Sequence, residues 1–302
     1  MPERRAHGLF VGLATLDIVS RVDRIPAANE KLTAESQFVA AGGPAANAAV
    51  TFAALGGTAT LVTALGSSTV AQAIVADLRA CGVRVVDVAP DLGAASVSSV
   101  LVTRSTGDRA VVGGDARGVL VSAPASEAVS ELVEESDVLL LDGHHAAMAA
   151  AFAAAAQTAA VPVVVDAGRW KPAFADLLPH ATEVVASADF RMPGHESGAA
   201  VAEHLVAEGV PVVVRTAGAG PVRWRTATGS GEVVTPAVAA VDTLGAGDVF
   251  HGAYAYAVAN GVDDVASRVS YASEVASVRC TMIGPRSWLG AIATTSLSQG
   301  DA

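Results

Sequence analysis

Short runs of apolar residues, many of them valine, recur along the chain between longer alanine-rich stretches. Runs that are apolar at every position, rather than at every second one, indicate strands buried on both faces, as in parallel sheets covered by crossover helices. The pattern therefore predicts an α/β fold with a central, mainly parallel sheet flanked by helices. Seven core strands are predicted, at residues 9–13, 59–64, 83–88, 137–141, 161–165, 183–186 and 210–214.

Two regions, residues 17–40 and 96–113, alternate apolar and polar residues instead. Such alternation predicts half-exposed antiparallel strands, and the segment Ser105-Thr106-Gly107-Asp108 fits a hairpin turn in the second region. We expect both regions to form a small sheet, here called the lid, with an apolar face that a ligand or a second subunit must cover. Since no linker divides the chain, residues 1–302 are predicted to form one domain with the lid inserted in it.

Composition and charge narrow the possible partners. Charged residues make up 16% of the chain, well below the ~25% of an average soluble protein. The chain has 30 acidic and 19 basic residues, a net charge of −11, and no basic run, so we expect it to bind neither nucleic acid nor a membrane surface. The stretch 146–165 reaches membrane-spanning length but is broken by Pro162, and it is predicted to be a buried helix followed by a strand.

Cysteine content and the amino-terminal segment bear on the compartment. Cys81 and Cys280 lie far apart and fit neither a disulfide framework nor a metal site. The first apolar segment is too short and too polar for a secretory signal. We therefore expect a cytoplasmic protein.

The most informative local feature is the segment VDTLGAGDVFHGA at residues 241–253, where a turn of small residues opens directly into a helix. Successive backbone N–H groups at a helix start form a pocket for an anion such as phosphate. Asp248 lies one turn into the helix, where a carboxylate beside a phosphate is unfavourable unless it accepts a proton from an attacking hydroxyl. On local sequence alone, Asp248 as a capping acid of an ordinary helix is the commoner arrangement.

Two features near the amino terminus are candidates for binding a polar ligand. Gly42 and Gly43 precede a predicted helix and allow a ligand to approach the backbone, and Asn47 on its first turn offers a donor and an acceptor. Asp17 follows the first core strand, at the sheet edge where open α/β folds bind ligands. Taken alone, the glycines suit a tight turn and Asp17 suits a turn cap.

In combination, Gly42-Gly43-x-x-x-Asn47 and Asp242-Thr243-x-Gly245-Ala246-Gly247-Asp248 resemble the two signature segments of the ribokinase-like carbohydrate kinases, the PfkB family. Both occur in the family's order, and the resemblance covers nearly the whole chain. It implies a ribokinase-like fold with a small β-sheet lid. It also implies an ATP-dependent kinase that transfers the γ-phosphoryl group to a primary hydroxyl of a small sugar.

The resemblance implies roles for the residues that match. Asp248 corresponds to the catalytic base, and Gly245, Ala246 and Gly247 correspond to the anion hole that stabilises charge on the transferred phosphoryl group. The positions that bind sugar hydroxyls are matched by Asp17, Gly43 and Asn47.

The segment TAGAG at residues 216–220 is similar to the family's nucleotide loop, which makes Thr216, Gly218 and Gly220 candidates for binding ATP. The second glycine comes one residue earlier than in the usual pattern. Asp166 follows a predicted strand and is a further candidate to face the nucleotide cleft.

One departure concerns the metal. The family's Asn-x-x-Glu segment, which helps to order Mg²⁺ through water, is replaced by Ser187-Ala188-Asp189-Phe190. Ketohexokinases share a similar departure, so the resemblance still implies Mg²⁺, held by the nucleotide, water and other acids, and leaves the metal-contacting residues unknown. A monovalent cation, K⁺, is a further cofactor that the resemblance allows.

Within the family, residues 43–49 and 247–253 look most like ketose kinases, namely ketohexokinase, fructokinase and sulfofructose kinase. Lys31, predicted on a lid strand, matches a lysine that sulfofructose kinases use to bind the sulfonate. His144 stands where those enzymes have an arginine, and Gly113 where they have a polar side chain. With fewer contacts for an anion, an uncharged ketohexose is predicted to be preferred over sulfofructose.

Several alternatives stay open. A kinase for sulfofructose or another sugar derivative is one, and a sugar or nucleotide sensor without turnover is another. A dinucleotide-dependent oxidoreductase is disfavoured because Gly12-x-Ala14 stands in place of G-x-G-x-x-G, and a P-loop sequence is missing. A homodimer through the lids is predicted, because Val100 and Val102, or their neighbours, would otherwise face water.

Overall fold

Residues 4–116, 118–195, 197–295 and residue 297 are described by a computed structural model in which helices and two β-sheets alternate along the chain. The helices are α1 Pro44–Ala54, α2 Thr69–Ala80, α3 Ser126–Glu134, α4 Ala146–Ala159, α5 Phe174–Leu177, α6 Gly198–Ala207, α7 Ala246–Ala259, α8 Val265–Cys280 and α9 Leu289–Ile292. The strands are β1 His7–Val11, β2 Thr15–Val22, β3 Ser36–Gly42, β4 Thr58–Thr63, β5 Val83–Asp87, β6 Ser96–Thr103, β7 Arg109–Gly113, β8 Val138–Leu141, β9 Val163–Ala167, β10 Glu183–Ala186, β11 Val212–Ala217, β12 Gly220–Thr226 and β13 Ser230–Val233.

The large sheet has nine strands in the order β13-β12-β11-β10-β9-β8-β1-β4-β5. All seven predicted core strands are present in it, displaced by no more than three residues, and they pair in parallel. The antiparallel pair β12 and β13 completes one edge and was not predicted. Its alternating burial, unlike that of the core strands, shows that one face of this edge is open to water.

Burial on both faces explains the uninterrupted apolar runs. In β1, Phe10 faces a layer that includes residues of α1, α7 and α8, whereas its neighbours Leu9 and Val11 face the opposite layer, which includes residues of α4 and α6. The predicted buried helix before the strand at Val163 is α4. Within the described part of the chain, no helix has the length and apolar character that a membrane crossing requires.

The small sheet has the order β3-β2-β6-β7. The pairs β2–β3 and β6–β7 are antiparallel as predicted, but β2 and β6 pair in parallel, so the prediction of an entirely antiparallel sheet was wrong. The pairs β2–β3 and β6–β7 come from distant parts of the chain. Where the two pairs meet, β2 and β6 run in the same direction. The lid is therefore a mixed sheet.

Lys31 lies elsewhere than predicted, and of the alternatives given for the exposed lid residues, Val100 and Val102 or their neighbours, the two valines are not exposed. Lys31 is exposed and lies in the connection between β2 and β3, not on a strand. Val100 and Val102 point inward and are only 1% and 2% exposed, packed with Val19. The apolar surface of the lid is formed instead by a row on its other face, consisting of Ile18, Val39 and Val112.

Helices α1 and α7 approach closely because Gly252 of α7 has no side chain. A Cβ atom there would lie 2.4 Å from the carbonyl oxygen of Ala48 and 2.7 Å from Cβ of Thr51. This contact sets the first turn of α1 beside the first turn of α7. Asn47 and Asp248 lie on those two turns.

Candidate active site

The turn before α7 has the geometry of an anion-binding loop. Gly245 adopts a left-handed conformation, with φ of 71°, and precedes the helix that begins at Ala246. No atom beyond the neighbouring residues lies within 4 Å of where a Cβ on Gly247 would be, so the space over the helix start is open. Backbone N–H groups at such a start attract negative charge. The three residues predicted as an anion hole, Gly245, Ala246 and Gly247, thus lie at one helix terminus. They are called the anion loop below.

Asp248 lies on the first turn of α7, and its Oδ2 accepts a 2.8 Å hydrogen bond from Nδ2 of Asn47. Burial, together with the negative charge of Asp166, raises the pKa of Asp248 to about 6, although the bond from Asn47 opposes the rise. A carboxylate with a pKa near neutrality accepts a proton more readily than an ordinary aspartate does. Asp248 is therefore chemically suited to act as a base.

Asp166 and His251 flank Asp248 and form a buried pair, with His251 Nδ1 3.2 Å from Asp166 Oδ2. Burial alone would lower the pKa of His251, but the carboxylates of Asp166 and Asp248 and the Val185 backbone together outweigh it, and the pKa is raised. One ligand atom from each of the three residues lies within 4.8 Å of the others. Sequence reasoning noted Asp166 and missed His251, although His251 lies three residues after Asp248 on the same helix.

These three residues are the ones that could hold a metal ion in the described part of the chain. Mg²⁺ prefers oxygen ligands, which suits the carboxylates of Asp166 and Asp248 better than the imidazole of His251. In the segment that replaces Asn-x-x-Glu, Asp189 is exposed and Phe190 is buried in the apolar core. Asp166, on the neighbouring strand β9, is the acid that lies close to Asp248.

Asp17 is the third residue of β2, within the lid, and not at the end of the core strand β1 as predicted. It is buried, and its Oδ1 accepts a 2.6 Å hydrogen bond from Thr15. Burial raises the pKa of Asp17, while hydrogen bonds from Thr15 and Ser98 oppose the rise. Gly42 makes room for the carboxylate, since a Cβ there would lie 2.0 Å from Oδ2.

Gly43 lies between the last residue of β3 and the first residue of α1, with φ of 98°. A Cβ at this position would strain the backbone and lie 2.4 Å from the carbonyl oxygen of Leu13. Glycine is therefore required for the chain to pass from the lid into α1. Asn47 follows on the first turn of that helix and reaches Asp248.

One pocket joins these features. It is lined by residues of the lid, of α1, of α7 and the turn before it, of the end of α8 and of the segment after α8. They are Asp17, Ala41, Asn47, Leu244, Gly245, Val249, Arg279, Pro285, Arg286 and Trp288. The predicted sugar-binding residues Asp17 and Asn47 thus share a pocket with Gly245 of the anion loop. Its two arginines, Arg279 and Arg286, were not predicted, because no local pattern marks them.

Arg286 is tied to the wall of this pocket. Its Nη2 donates to Asp77 Oδ2 at 2.8 Å and to the carbonyl oxygen of Ala41 at 2.6 Å. Asp77 also accepts a hydrogen bond from the backbone N–H of Ala41, at 3.0 Å. Arg286 therefore fixes the strand end that precedes Gly42 and Gly43.

The lid is joined to the anion loop through its hairpin turn. The carbonyl oxygen of Gly107 accepts hydrogen bonds from the hydroxyl of Thr243, at 2.8 Å, and from its backbone N–H, at 3.2 Å. A Cβ on Gly107, whose φ is 69°, would lie 3.0 Å from the carbonyl carbon of Val241. The turn of the lid and the segment before Gly245 are thus in direct contact.

His144 and Lys31, predicted to bind the substrate, do not line the pocket. Nδ1 of His144 is 3.0 Å from Asp142 Oδ1, and the ring is buried. Asp142, which sequence reasoning missed, also accepts backbone hydrogen bonds from Leu13 at 2.9 Å and Ala45 at 3.2 Å. Burial would raise the pKa of Asp142, but the charges of His144 and Lys171 hold it well below its usual range.

The predicted nucleotide loop is the tight turn between β11 and β12, at one side of the large sheet. Thr216 lies within β11 and Gly220 begins β12. Gly218, at the exposed turn, has φ of 59°, and no atom beyond its neighbours lies within 4 Å of where its Cβ would be. The structure leaves the surface over this turn open.

Comparisons with known proteins bear on the identity of this site. The model of the family described as pfkB family carbohydrate kinase matches residues 6–289. The chain is 26% identical over 280 residues to ribokinase of Bacillus subtilis, which covers 91% of this chain and 92% of that protein. It is 32% identical over 162 residues to the ATP-dependent ribose-1-phosphate kinase of Halopiger xanaduensis. This match covers 53% of this chain and 54% of that protein.

Solved structures agree on the architecture. A crystal structure of a proposed ribokinase from Agrobacterium tumefaciens superimposes with a TM-score of 0.83 at 27% identity, over 94% of each chain. Ribokinase of Arabidopsis thaliana, complexed with ribose and ATP, gives a TM-score of 0.75 over 97% of this chain and 100% of that one, and at 23% identity it shows the fold. The expected ribokinase-like fold is confirmed.

The comparisons confirm the resemblance at the level of the family, without singling out ketohexokinase or sulfofructose kinase. The family's enzymes transfer a phosphoryl group to a sugar. Because the family model spans nearly the whole chain, including the anion loop and Asp248, the chain belongs to the pfkB family of carbohydrate kinases.

Proposed function

We propose that the chain transfers the γ-phosphoryl group of ATP to a primary hydroxyl of a small sugar, with Asp248 as the general base. One observation carries this proposal. Asp248 lies on the first turn after the anion loop and is hydrogen-bonded to Asn47, and Asn47 shares a pocket with Asp17. A proton acceptor, a phosphate-binding helix start and sugar-binding groups are thus adjacent.

In the proposed reaction, Asp17, Gly43 and Asn47 bind sugar hydroxyls and place the acceptor hydroxyl beside Asp248. Asp248 takes the proton of that hydroxyl as its oxygen attacks the γ-phosphorus, and the bond to the β-phosphate oxygen breaks. The backbone N–H groups of Gly245, Ala246 and Gly247 stabilise the charge on the transferred group. The products are the sugar phosphate and ADP.

Asn47 orients the base. Its amide donates to one carboxylate oxygen of Asp248 and leaves the other oxygen for the substrate hydroxyl. A general base must lie within hydrogen-bonding reach of the proton that it removes. The amide therefore restricts the rotation of the carboxylate as well as contacting the sugar.

For the cofactors, we propose that the turn with Thr216, Gly218 and Gly220 contacts ATP, and that Asp166 holds Mg²⁺. Mg²⁺, when bound, neutralises charge on the transferred phosphoryl group. Asp166 offers a carboxylate close to Asp248, and Nδ1 of His251 lies 3.2 Å from its Oδ2. A requirement for K⁺ stays a prediction, tested by assays in sodium and potassium salts of equal ionic strength.

For the sugar, we propose an uncharged ketohexose such as fructose, in preference to sulfofructose. Lys31 is exposed outside the pocket, and His144 is engaged by Asp142. Gly113 has no side chain to offer. These positions therefore provide little binding for a sulfonate. The names of the relatives make ribose and ribose-1-phosphate the second candidates.

The test is ADP release with ATP and Mg²⁺ over a panel of fructose, sulfofructose, ribose and ribose-1-phosphate. We expect the largest kcat/KM with fructose. A tenfold or larger advantage for sulfofructose, on the order of 1.4 kcal/mol, overturns the ketohexose proposal and leaves the kinase intact. A protein that binds sugar or ATP but releases no ADP is the sensor of the alternative hypothesis.

We also propose a homodimer that forms through the lids. Ile18, Val39 and Val112 lie in one cross-strand row on the outer lid face and are 40%, 62% and 77% exposed. Ser99 lies between Ile18 and Val112 in this row, so apolar side chains are exposed on three of the four lid strands. Exposed apolar surface that is shared by neighbouring strands marks an interaction surface. A second copy of the chain presents the same apolar row, so a two-fold contact buries both.

A further inference from the structure

Arg279 is among the most deeply buried charged residues of the chain, 1% exposed, at the end of α8. We infer that its guanidinium holds the anion loop in a phosphate-binding conformation and neutralises the carboxylate of Asp242 beside the loop. The inference rests on the proposed phosphoryl transfer. In that role Arg279 is a positioning residue, since it acts through the loop and not on the reacting atoms.

The contacts of Arg279 join two segments that are distant in sequence. Nη2 lies 3.1 Å from Oδ2 of Asp242, and Nη1 donates to the carbonyl oxygen of Met282 at 2.8 Å and to that of Asp242 at 3.4 Å. Asp242 begins the segment that leads into Gly245. The guanidinium therefore clamps the start of the anion loop to the chain that follows α8.

Asp242 is the other half of this arrangement and is 2% exposed. Its Oδ1 accepts the backbone N–H of Leu244 at 3.0 Å, and its Oδ2 accepts that of Gly284 at 3.0 Å. The bond from Leu244 sets the backbone one residue before Gly245. A change in the position of the Asp242 carboxylate is thus transmitted directly to the helix start.

Electrostatics gives the guanidinium a second effect. Asp242 is a buried carboxylate three residues before Gly245, and its charge opposes the binding of a phosphoryl group there. Charges in a poorly solvated region interact more strongly than in water. Arg279 neutralises this carboxylate. Among the described residues, its Nη2 has no partner with hydrogen-bond geometry, so the contact with Asp242 is an electrostatic attraction and not a directed hydrogen bond.

The experiment compares Arg279→Ala, Arg279→Lys and a matched control, Arg268→Ala. Arg268 lies on the same helix and is also a buried arginine paired with an acid, Glu183, but that acid begins β10 and does not line the pocket. The readouts are ATP affinity by calorimetry without sugar, kcat and KM with the best sugar, and thermal unfolding. Each is repeated with millimolar guanidinium chloride, well below denaturing concentrations.

We expect Arg279→Ala to weaken ATP binding and to lower kcat by on the order of tenfold or more, because a preorganised anion site loses its shape and gains negative charge. Guanidinium is expected to restore part of the ATP affinity and part of kcat in Arg279→Ala. It is expected to change neither quantity in Arg268→Ala. Arg279→Lys, which keeps the charge and loses the planar fork, is expected to lie between the wild type and Arg279→Ala.

Equal ATP affinity and kcat in Arg279→Ala and wild type overturn the inference, as does a loss in Arg279→Ala that guanidinium does not restore. If Arg279→Ala does not fold, the soluble Arg279→Lys variant decides by the same ATP measurement, and wild-type affinity there overturns the inference. Because the calorimetry uses ATP without sugar, the measured ATP affinity does not depend on which sugar is the substrate. A wild-type protein that binds ATP without transferring phosphate contradicts the proposed function and leaves the Arg279 measurement valid.

Discussion

Asn47 and Asp248 are 201 positions apart in the sequence and are joined by a 2.8 Å hydrogen bond from the amide of the first to the carboxylate of the second. The bond connects the first turns of α1 and α7. It unites the two segments on which the family resemblance rests. The glycine-rich turn at Gly43 and the anion loop are therefore parts of one structure.

Replacing Asp248 with asparagine is expected to remove most turnover while the protein folds normally. The side chain keeps its size and loses the proton acceptor, and general-base catalysis typically supplies ~10²–10⁴-fold. Steady-state kinetics with the best sugar measure the loss. Asp189→Asn, at an exposed position outside the pocket, serves as the control and is expected to keep wild-type kcat. Retention of more than about a tenth of kcat by Asp248→Asn contradicts the assignment.

The pH dependence of activity follows from the raised pKa of Asp248. The base acts in its ionised form, so kcat/KM is expected to rise with pH through about 6 and to level off above it. The groups that face this carboxylate are Asp166, Asn47, His251 and Arg109. A profile that is flat between pH 5 and pH 8, a window set roughly by one unit or more on each side of that pKa, contradicts Asp248 as the base.

The raised pKa of Asp248 also makes the stability of the fold depend on pH. Because the folded-state pKa of about 6 is above the ordinary 3.8, the protonated carboxyl contributes stability below 3.8 that is lost as pH rises through 6. Asp248→Asn is therefore expected to raise the melting temperature at alkaline pH. The difference from wild type should shrink towards zero on acidification. Calorimetric scans at several pH values measure it, and an unchanged difference across this range contradicts the shift.

Asp17→Ala is expected to raise the KM for the sugar by roughly 10–100-fold, since hydrogen bonds to a charged group contribute ~1.5–3 kcal/mol. The KM for ATP should change little, because the turn at Gly218 lies on a distant strand of the large sheet. Both constants are measured by varying one substrate at saturation of the other. Asp23→Ala, in the exposed lid connection, is the control. Equal increases in both constants would mean that Asp17 is structural.

Gly252→Val tests the close packing of α1 against α7. The added side chain meets the carbonyl oxygen of Ala48, and overpacking of this kind costs ~1–3 kcal/mol. We expect a lower melting temperature together with reduced kcat, because the separated helices no longer keep Asn47 beside Asp248. Gly290→Val, where no atom beyond the neighbouring residues and the helix's own backbone lies within 4 Å of the added Cβ, should change neither. Full activity in a destabilised Gly252→Val variant would show that the two turns tolerate separation.

The predicted dimer is tested by Val112→Lys, which places a charge in the exposed lid row. Light scattering should show a dimer for the wild type and a monomer for this variant at micromolar concentration. Val234→Lys is the control, because Val234 is equally exposed, at 77%, and lies outside the lid. A wild-type monomer with full activity removes the proposal.

Sequence patterns predicted the parts of the molecule whose physical cause is local. Strands such as Val138–Leu141 and Val163–Ala167 are apolar throughout because helices cover both of their faces. The strand prediction for Lys31 failed because the alternating pattern continued through the connection between β2 and β3. The edge pair β12 and β13 was missed, although it shows the alternating burial on which the prediction of the lid strands rested.

The candidate site divides in the same way. Asp248 and Asn47 were found because each is part of a compact glycine-rich segment. The partnerships of Asp166 with His251, and of Asp242 with Arg279, join residues from different elements, and only the assembled fold brings them within reach. Arg279 and Arg286 carry no local signal at all.

The contact between Gly107 and Thr243 gives the lid a consequence for the chemistry. A sugar that moves the β6–β7 hairpin displaces the Gly107 carbonyl, which holds the backbone two residues before Gly245. The position of the β6–β7 hairpin and the backbone conformation just before the anion loop are therefore coupled through the Gly107 carbonyl and Thr243.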